Sequence, residues 1–149
     1  MRTLIVMTCL SVLAGLSPTA RLAADEPKDK GAATETLVGT WKLVSAKYGG
    51  RESSLPNDAT TLKHMTPAQY MWVSYDKDGQ VFRTAGGSYT YKGGVLESTP
   101  EYGMGSDFEA IRGKPQSYEC RVEGDKWHQS GKLSNGTALE EVWERVEKK

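Results

Sequence analysis

From Leu37 onward, apolar and polar residues alternate in short runs, with turn-forming residues roughly every ten positions. The pattern predicts strands rather than helices. The first covers Gly39–Tyr48 and stops at Gly49-Gly50. A polar connection, Arg51 to Thr60, has no helical apolar period. A short strand around Leu62–Met65 ends before Pro67, and Gln69–Tyr75 is rich in β-formers. Asp76-Lys77-Asp78-Gly79 is a hairpin turn. Val81–Ala85, a break at Gly86-Gly87, and Ser88–Tyr91 come next. Lys92-Gly93-Gly94 leads into Val95–Glu101. Tyr102 to Pro115 reads as irregular, with one helical turn at Ser106–Ile111. Gln116–Glu123, Lys126–Leu133 and Thr137–Val146 complete the series. Eight to nine short strands in this order describe an all-β, up-and-down antiparallel meander. Closing it into a barrel removes both exposed edges.

The C-terminal strands also reveal their faces. A two-residue Gly124-Asp125 loop pairs Val122 with Trp127, Cys120 with Gln129 and Tyr118 with Gly131, and sets Arg121 opposite His128. Tyr118, Cys120, Val122, Trp127 and Leu133 then share an apolar face. Glu119, Arg121, Lys126, His128 and Lys132 share a solvated one. A three-residue Ser134-Asn135-Gly136 loop places Leu139, Glu141, Trp143 and Arg145 on the apolar side; a two-residue Asn135-Gly136 loop would reverse them. The longer loop is adopted because it brings Leu139 and Trp143 to Trp127 and Leu133. Both faces of the Gln69–Ala85 hairpin carry large apolar groups, so its register stays open.

The chain has 149 residues, with 19 basic and 19 acidic. Met1-Arg2, the uncharged apolar run Thr3–Leu16 and the small residues to Ala24 have the layout of a signal peptide. Cleavage is expected after Ala24, with Ala20 as the alternative. The apolar run is too short to cross a bilayer core of about 30 Å, so no stable membrane anchor is expected. Residues 25–36 read as a flexible leader, and 37–149 as a single domain. Without residues 1–24, 17 basic face 19 acidic residues, a net charge of −2. That balance argues against nucleic-acid binding. Export to the periplasm or outside the cell is expected, yet the mature chain keeps only Cys120. It has no intramolecular disulfide, and its core must hold it together.

Val38 to Ser45, with its Gly-x-Trp, resembles the first strand of the fatty-acid-binding proteins. Gly39, Trp41 and the late Arg145 are similar to the lipocalin signature; both families are calycins. Trp72 to Asp76, Ala85 to Tyr89 and Glu140 to Arg145 resemble the small exported bacterial lipocalin-like domains, over about Leu37 to Val146. The resemblance implies a lipocalin-like barrel and names no activity. Where fatty-acid-binding proteins carry an inward Arg-x-Tyr for a carboxylate, this chain has Glu141 and Trp143, and a glutamate repels a fatty-acid head group.

These readings give a candidate lumen lining of Tyr89, Tyr91, Tyr118, Cys120, Trp127, Gln129, Glu141 and Trp143, suited to a small, partly apolar ligand. Such side chains also fill small barrels, and a filled lumen would leave an interaction module acting through its outer aromatic residues. Glu141 is either solvated near the mouth or buried against a cation such as Arg83. Gly39, Trp41 and Arg145 are assigned to barrel closure, the guanidinium over the indole. Cys120 reads as a small buried hydrophobe rather than a reactive thiol. No catalytic constellation, metal-ligand spacing or cofactor motif is present. His128 faces outward, which argues against haem. Glu97 and Glu101 would stand about 13 Å apart on an extended strand, too far for a glycosidase pair.

Overall fold

The computed structural model describes residues 37–53 and 58–147. The expected signal peptide and leader lie outside the described residues. The elements are β1 (Gly39–Tyr48), β2 (Arg51–Glu52), β3 (Thr60–Met65), β4 (Gln69–Tyr75), β5 (Val81–Lys92), β6 (Val95–Met104), α1 (Ser106–Ile111), β7 (Gln116–Glu123), β8 (Lys126–Lys132) and β9 (Ala138–Arg145). Each strand pairs antiparallel with its neighbours, and β9 returns to β1. Eight strands thus close a barrel. The two-residue β2 is an addition along the end of β1.

The C-terminal register follows from turn chemistry and face contrast. Val122 pairs with Trp127, Cys120 with Gln129 and Tyr118 with Gly131. Trp143 then meets Trp127, and Glu141 meets Gln129. The Ser134-Asn135-Gly136 loop is closed by Leu133 N–H donating to Thr137 O, 2.9 Å, and Gly136 N–H to Leu133 O, 2.8 Å. Asn135 Oδ1 accepts from Thr137 N–H at 3.0 Å. The hairpin left open by sequence pairs Trp72 with Ala85 and Tyr70 with Gly87.

Strand boundaries depart most from expectation in β5 and β6. Gly86-Gly87 does not break the chain; β5 runs through it, and the register against β6 shifts there. A Cβ on Gly86 would enter the Tyr102 ring, and one on Gly87 would strike the Thr99 carbonyl oxygen. These glycines serve a close approach at a bulge, not a turn. In consequence β6 also runs further, to Met104, because the extended β5 offers it partners as far as Thr84.

The two barrel ends are built differently. At one, Trp41, Trp127 and Trp143 fill the interior, with centroid separations of 5.5 Å for the first pair and 6.2 Å for the second. Arg145 lies 4.0 Å above the Trp41 ring and donates to Val38 O at 3.0 Å. A side chain at Gly39 would collide with that guanidinium, its Cβ 2.8 Å from Nη1. Toward the other end the strands enclose open space, and α1 is tucked against β5 and β6 by buried Phe108 and Ile111. Gly113 N–H donates to Pro100 O at 2.7 Å where the chain leaves α1.

Candidate functional site

The open half of the barrel holds a cavity of about 410 Å³. Its walls combine Leu43, Met65, Tyr70, Trp72, Leu96, Leu133 and Leu139 with hydroxyl and amide groups of Thr61, Ser74, Ser98, Gln116, Tyr118 and Gln129. Ser106, Asp107 and Ala110 of α1, and Asn135 and Thr137 of the β8–β9 turn, line its outer part.

Strand alternation sends both Lys63 of β3 and Glu141 of β9 inward, and both are buried, with side chains 7% and 8% exposed. Lys63 Nζ lies 3.6 Å from Glu141 Oε2 and donates to Gln129 Oε1 at 3.2 Å. The same ammonium sits 3.9 Å above the Trp143 ring centroid and 4.6 Å above that of Trp127. Glu141 accepts from Tyr48 O–H at 2.7 Å through Oε1, and from Trp143 Nε1–H at 2.9 Å through Oε2. A charged pair, the Trp143 indole, a phenol and an amide therefore form the lumen floor, with the Trp127 indole packed beneath it. A buried pair survives only when its remaining hydrogen-bonding capacity is met, as it is here.

Burial sets the protonation chemistry. It lowers the Lys63 ammonium below the usual lysine range, against the attraction of Glu141. It raises the Tyr118 and Tyr48 phenols well above theirs, and the Glu141 charge adds to both. Tyr70 is pushed up to about 12, again mainly by burial. These phenols remain neutral O–H groups at physiological pH. Burial also pushes the Cys120 thiol up, which keeps it from reacting as a thiolate.

Of the eight residues expected to line the lumen, Tyr118, Gln129, Glu141 and Trp143 do so. Tyr89, Tyr91, Cys120 and Trp127 do not. They belong to the closed end, where Tyr89 and Cys120 join the tryptophan core and Tyr91 packs against it. Alternation predicts the inward side but not the depth, and these four lie below the floor. Glu141 is not at a solvated mouth, and its cation is Lys63. Arg83 instead bridges to Asp107 of α1 at 2.9 Å and donates to Ser74 Oγ at 3.2 Å. His128 faces outward opposite Arg121. His64 contacts Thr40 Oγ1 through Nδ1 at 3.1 Å. Lys63 and Tyr48 were missed by sequence reasoning. The only signal for Lys63 was its place between Thr61 and Met65 on one face of β3. Among the described residues, no three His, Cys, Asp or Glu side chains gather as metal ligands.

A closed eight-stranded meander, sealed at one end by Arg145 over Trp41 and open at the other, decides the architecture. The fold is a lipocalin-like barrel. A lipocalin-like protein from Bacteroides uniformis matches it with a TM-score of 0.52 at 13% identity, over 74% of this chain and 99% of that one. An uncharacterized protein from Bacteroides eggerthii matches with a TM-score of 0.51 at 15% identity, over 73% and 98%. At such identities the likeness concerns the fold alone. No family model matches the chain, and no curated protein matches it.

Proposed function

We propose that the protein is an exported, non-catalytic carrier or sensor of a small, partly apolar molecule held in the lipocalin-like lumen. The observation that carries this reading is the cavity of about 410 Å³, within the usual size range of small-molecule sites. A filled barrel acting only through its outer surface would not keep such a space. Leu43, Met65, Leu96 and Leu139 suit an apolar body. The Tyr118 hydroxyl and the Gln129 amide nitrogen have no hydrogen-bond partner among the described residues, which leaves them free for a ligand acceptor.

Charge narrows the ligand class. Lys63 and Glu141 neutralise each other, so the floor offers no spare cation for a carboxylate. A ligand with a neutral polar head, such as a hydroxyl or carbonyl, leaves that pair intact. An ionised fatty acid would have to break it or accept an unpaired buried charge, which is expensive.

The test is native mass spectrometry on protein purified from an exporting bacterial host, with bound molecules extracted and identified. The expected result is a neutral, partly apolar molecule that is lost when Leu139→Trp fills the cavity. A folded protein that stays empty, and takes up no neutral ligand from an added panel, would overturn the reading. N-terminal sequencing of the exported form should begin at Asp25; retention of the chain in the cytoplasm would contradict export.

A further inference from the structure

A buried primary amine on a ligand cavity is chemically distinctive. The lysines of surface strands, such as Lys42, Lys126 and Lys132, are exposed. Lys63 is the exception: it lines the lumen beside Glu141, Gln129 and Trp143. A lysine in such surroundings has a larger share of free amine than one in water, and desolvated lysines are the ones that add to carbonyl compounds.

We propose that Lys63 captures a neutral aldehyde ligand reversibly as a protonated imine, with Glu141 as its counter-ion. The proposal rests on the lumen-binding reading and names its ligand class. Lys63 Nζ adds to the aldehyde carbon, forming a C–N bond as the carbonyl π bond opens. The resulting hydroxyl then leaves as water and a C=N bond forms. Counted from the ammonium, two of its protons leave with the carbonyl oxygen and one stays on nitrogen. The positive charge therefore remains in place.

That conservation is why this floor suits the chemistry. Glu141, 3.6 Å from Nζ, still faces a cation after the reaction, so no buried carboxylate is left alone. Tyr48 and Trp143 hold both carboxylate oxygens, at 2.7 and 2.9 Å, and so keep the counter-ion in position. The Trp143 ring, 3.9 Å away, provides a π face for the iminium as it does for the ammonium.

The experiment treats the purified protein with naphthaldehyde and cyanoborohydride at neutral pH, which fixes any imine as a secondary amine, and maps the adducts by peptide mass spectrometry. Lys63 should label faster than the exposed Lys42, Lys126 and Lys132, because burial favours its free amine and the lumen holds the aldehyde beside it. Naphthalene methanol, which cannot form an imine, should compete with that labelling. Lys63→Arg should yield no lumen adduct, whatever its effect on alcohol binding. Labelling confined to exposed lysines, or no faster at Lys63, overturns the proposal. If the alcohol then still binds, the imine fails and the binding site stands. If neither compound enters, both readings fall.

Discussion

Replacing Glu141 by Leu should be among the most damaging changes in the barrel, and replacing Lys63 as well should partly repair it. At 3.6 Å and an effective dielectric constant of about 20, the pair's attraction is about 4–5 kcal/mol. Desolvation of both ions offsets most of that, so the net value of the pair is small. Removing one partner is a different matter. Glu141→Leu leaves the Lys63 ammonium buried and orphans the Tyr48 hydroxyl and Trp143 Nε1–H, both of which donate to the carboxylate. A cost of about 3–5 kcal/mol follows. Lys63→Met leaves Glu141 with those two donors and should cost less, about 1–3 kcal/mol. In the double variant no charge is stranded. Its cost should fall short of the sum by about 2–3 kcal/mol, the coupling expected of groups in one network. Urea unfolding monitored by tryptophan fluorescence at neutral pH gives all four corners of the cycle. Single costs that add to within about 0.5 kcal/mol would refute the paired floor.

Other consequences are open to direct test. Arg145→Ala should lose about 1–3 kcal/mol, combining the stack on Trp41 with the bond to Val38 O, and Arg145→Lys should recover part of it; an unchanged thermal midpoint for Arg145→Ala would count against this role in closure. Gly87→Ala should cost more than about 3 kcal/mol because its Cβ meets the Thr99 carbonyl. Gly124→Ala, at φ +58° with open space around it, should cost only about 1–2 kcal/mol; equal costs in urea unfolding would contradict the close-approach account. The raised phenols of Tyr48, Tyr70 and Tyr118 contribute stability that is fully present below about pH 10 and lost as pH climbs toward 12. Lys63, being lowered, contributes with opposite sign, adding stability as pH rises toward about 10.4. Ultraviolet titration should therefore show a late group of phenols that ionise only with unfolding; seven phenols titrating together near pH 10 would contradict the burial.

The fold was legible where two signals coincided. Along β7 to β9, turn residues fixed loop length while one face was plainly charged, so a register error would have exposed Trp127 and Trp143. The β4–β5 hairpin gave no such contrast. Met71 and Phe82 are exposed while Tyr70 and Ala85 are buried, and size and apolarity cannot tell them apart. Gly86-Gly87 misled because a glycine pair marks both turns and crowded strand crossings; the Tyr102 ring that demands it comes from another strand.

The site was legible only in part, for a related reason. Inward alternation found Tyr118, Gln129, Glu141 and Trp143, but it also selected Tyr89, Tyr91, Cys120 and Trp127, which lie beyond the floor. Depth along a barrel depends on strand stagger, which needs the whole ladder. Lys63 escaped because lysine is seldom buried without a partner, and its partner stands 78 positions away in the chain, on β9. Neither residue announces the other. Only closure of β9 onto β1, with β3 on the far side of β1, brings them together.

Titrating the labelled protein with naphthalene methanol, with the four tryptophan indole N–H signals followed by NMR, shows whether the lumen is a ligand site. Ligand entry should give saturable shifts at Trp143 and at the Gln129 side-chain amide, with Trp41, buried at the sealed end, nearly unmoved. Shifts confined to the outer face around Met71, Phe82 and Tyr102, with Trp143 unchanged, would contradict it and move the function to the barrel surface.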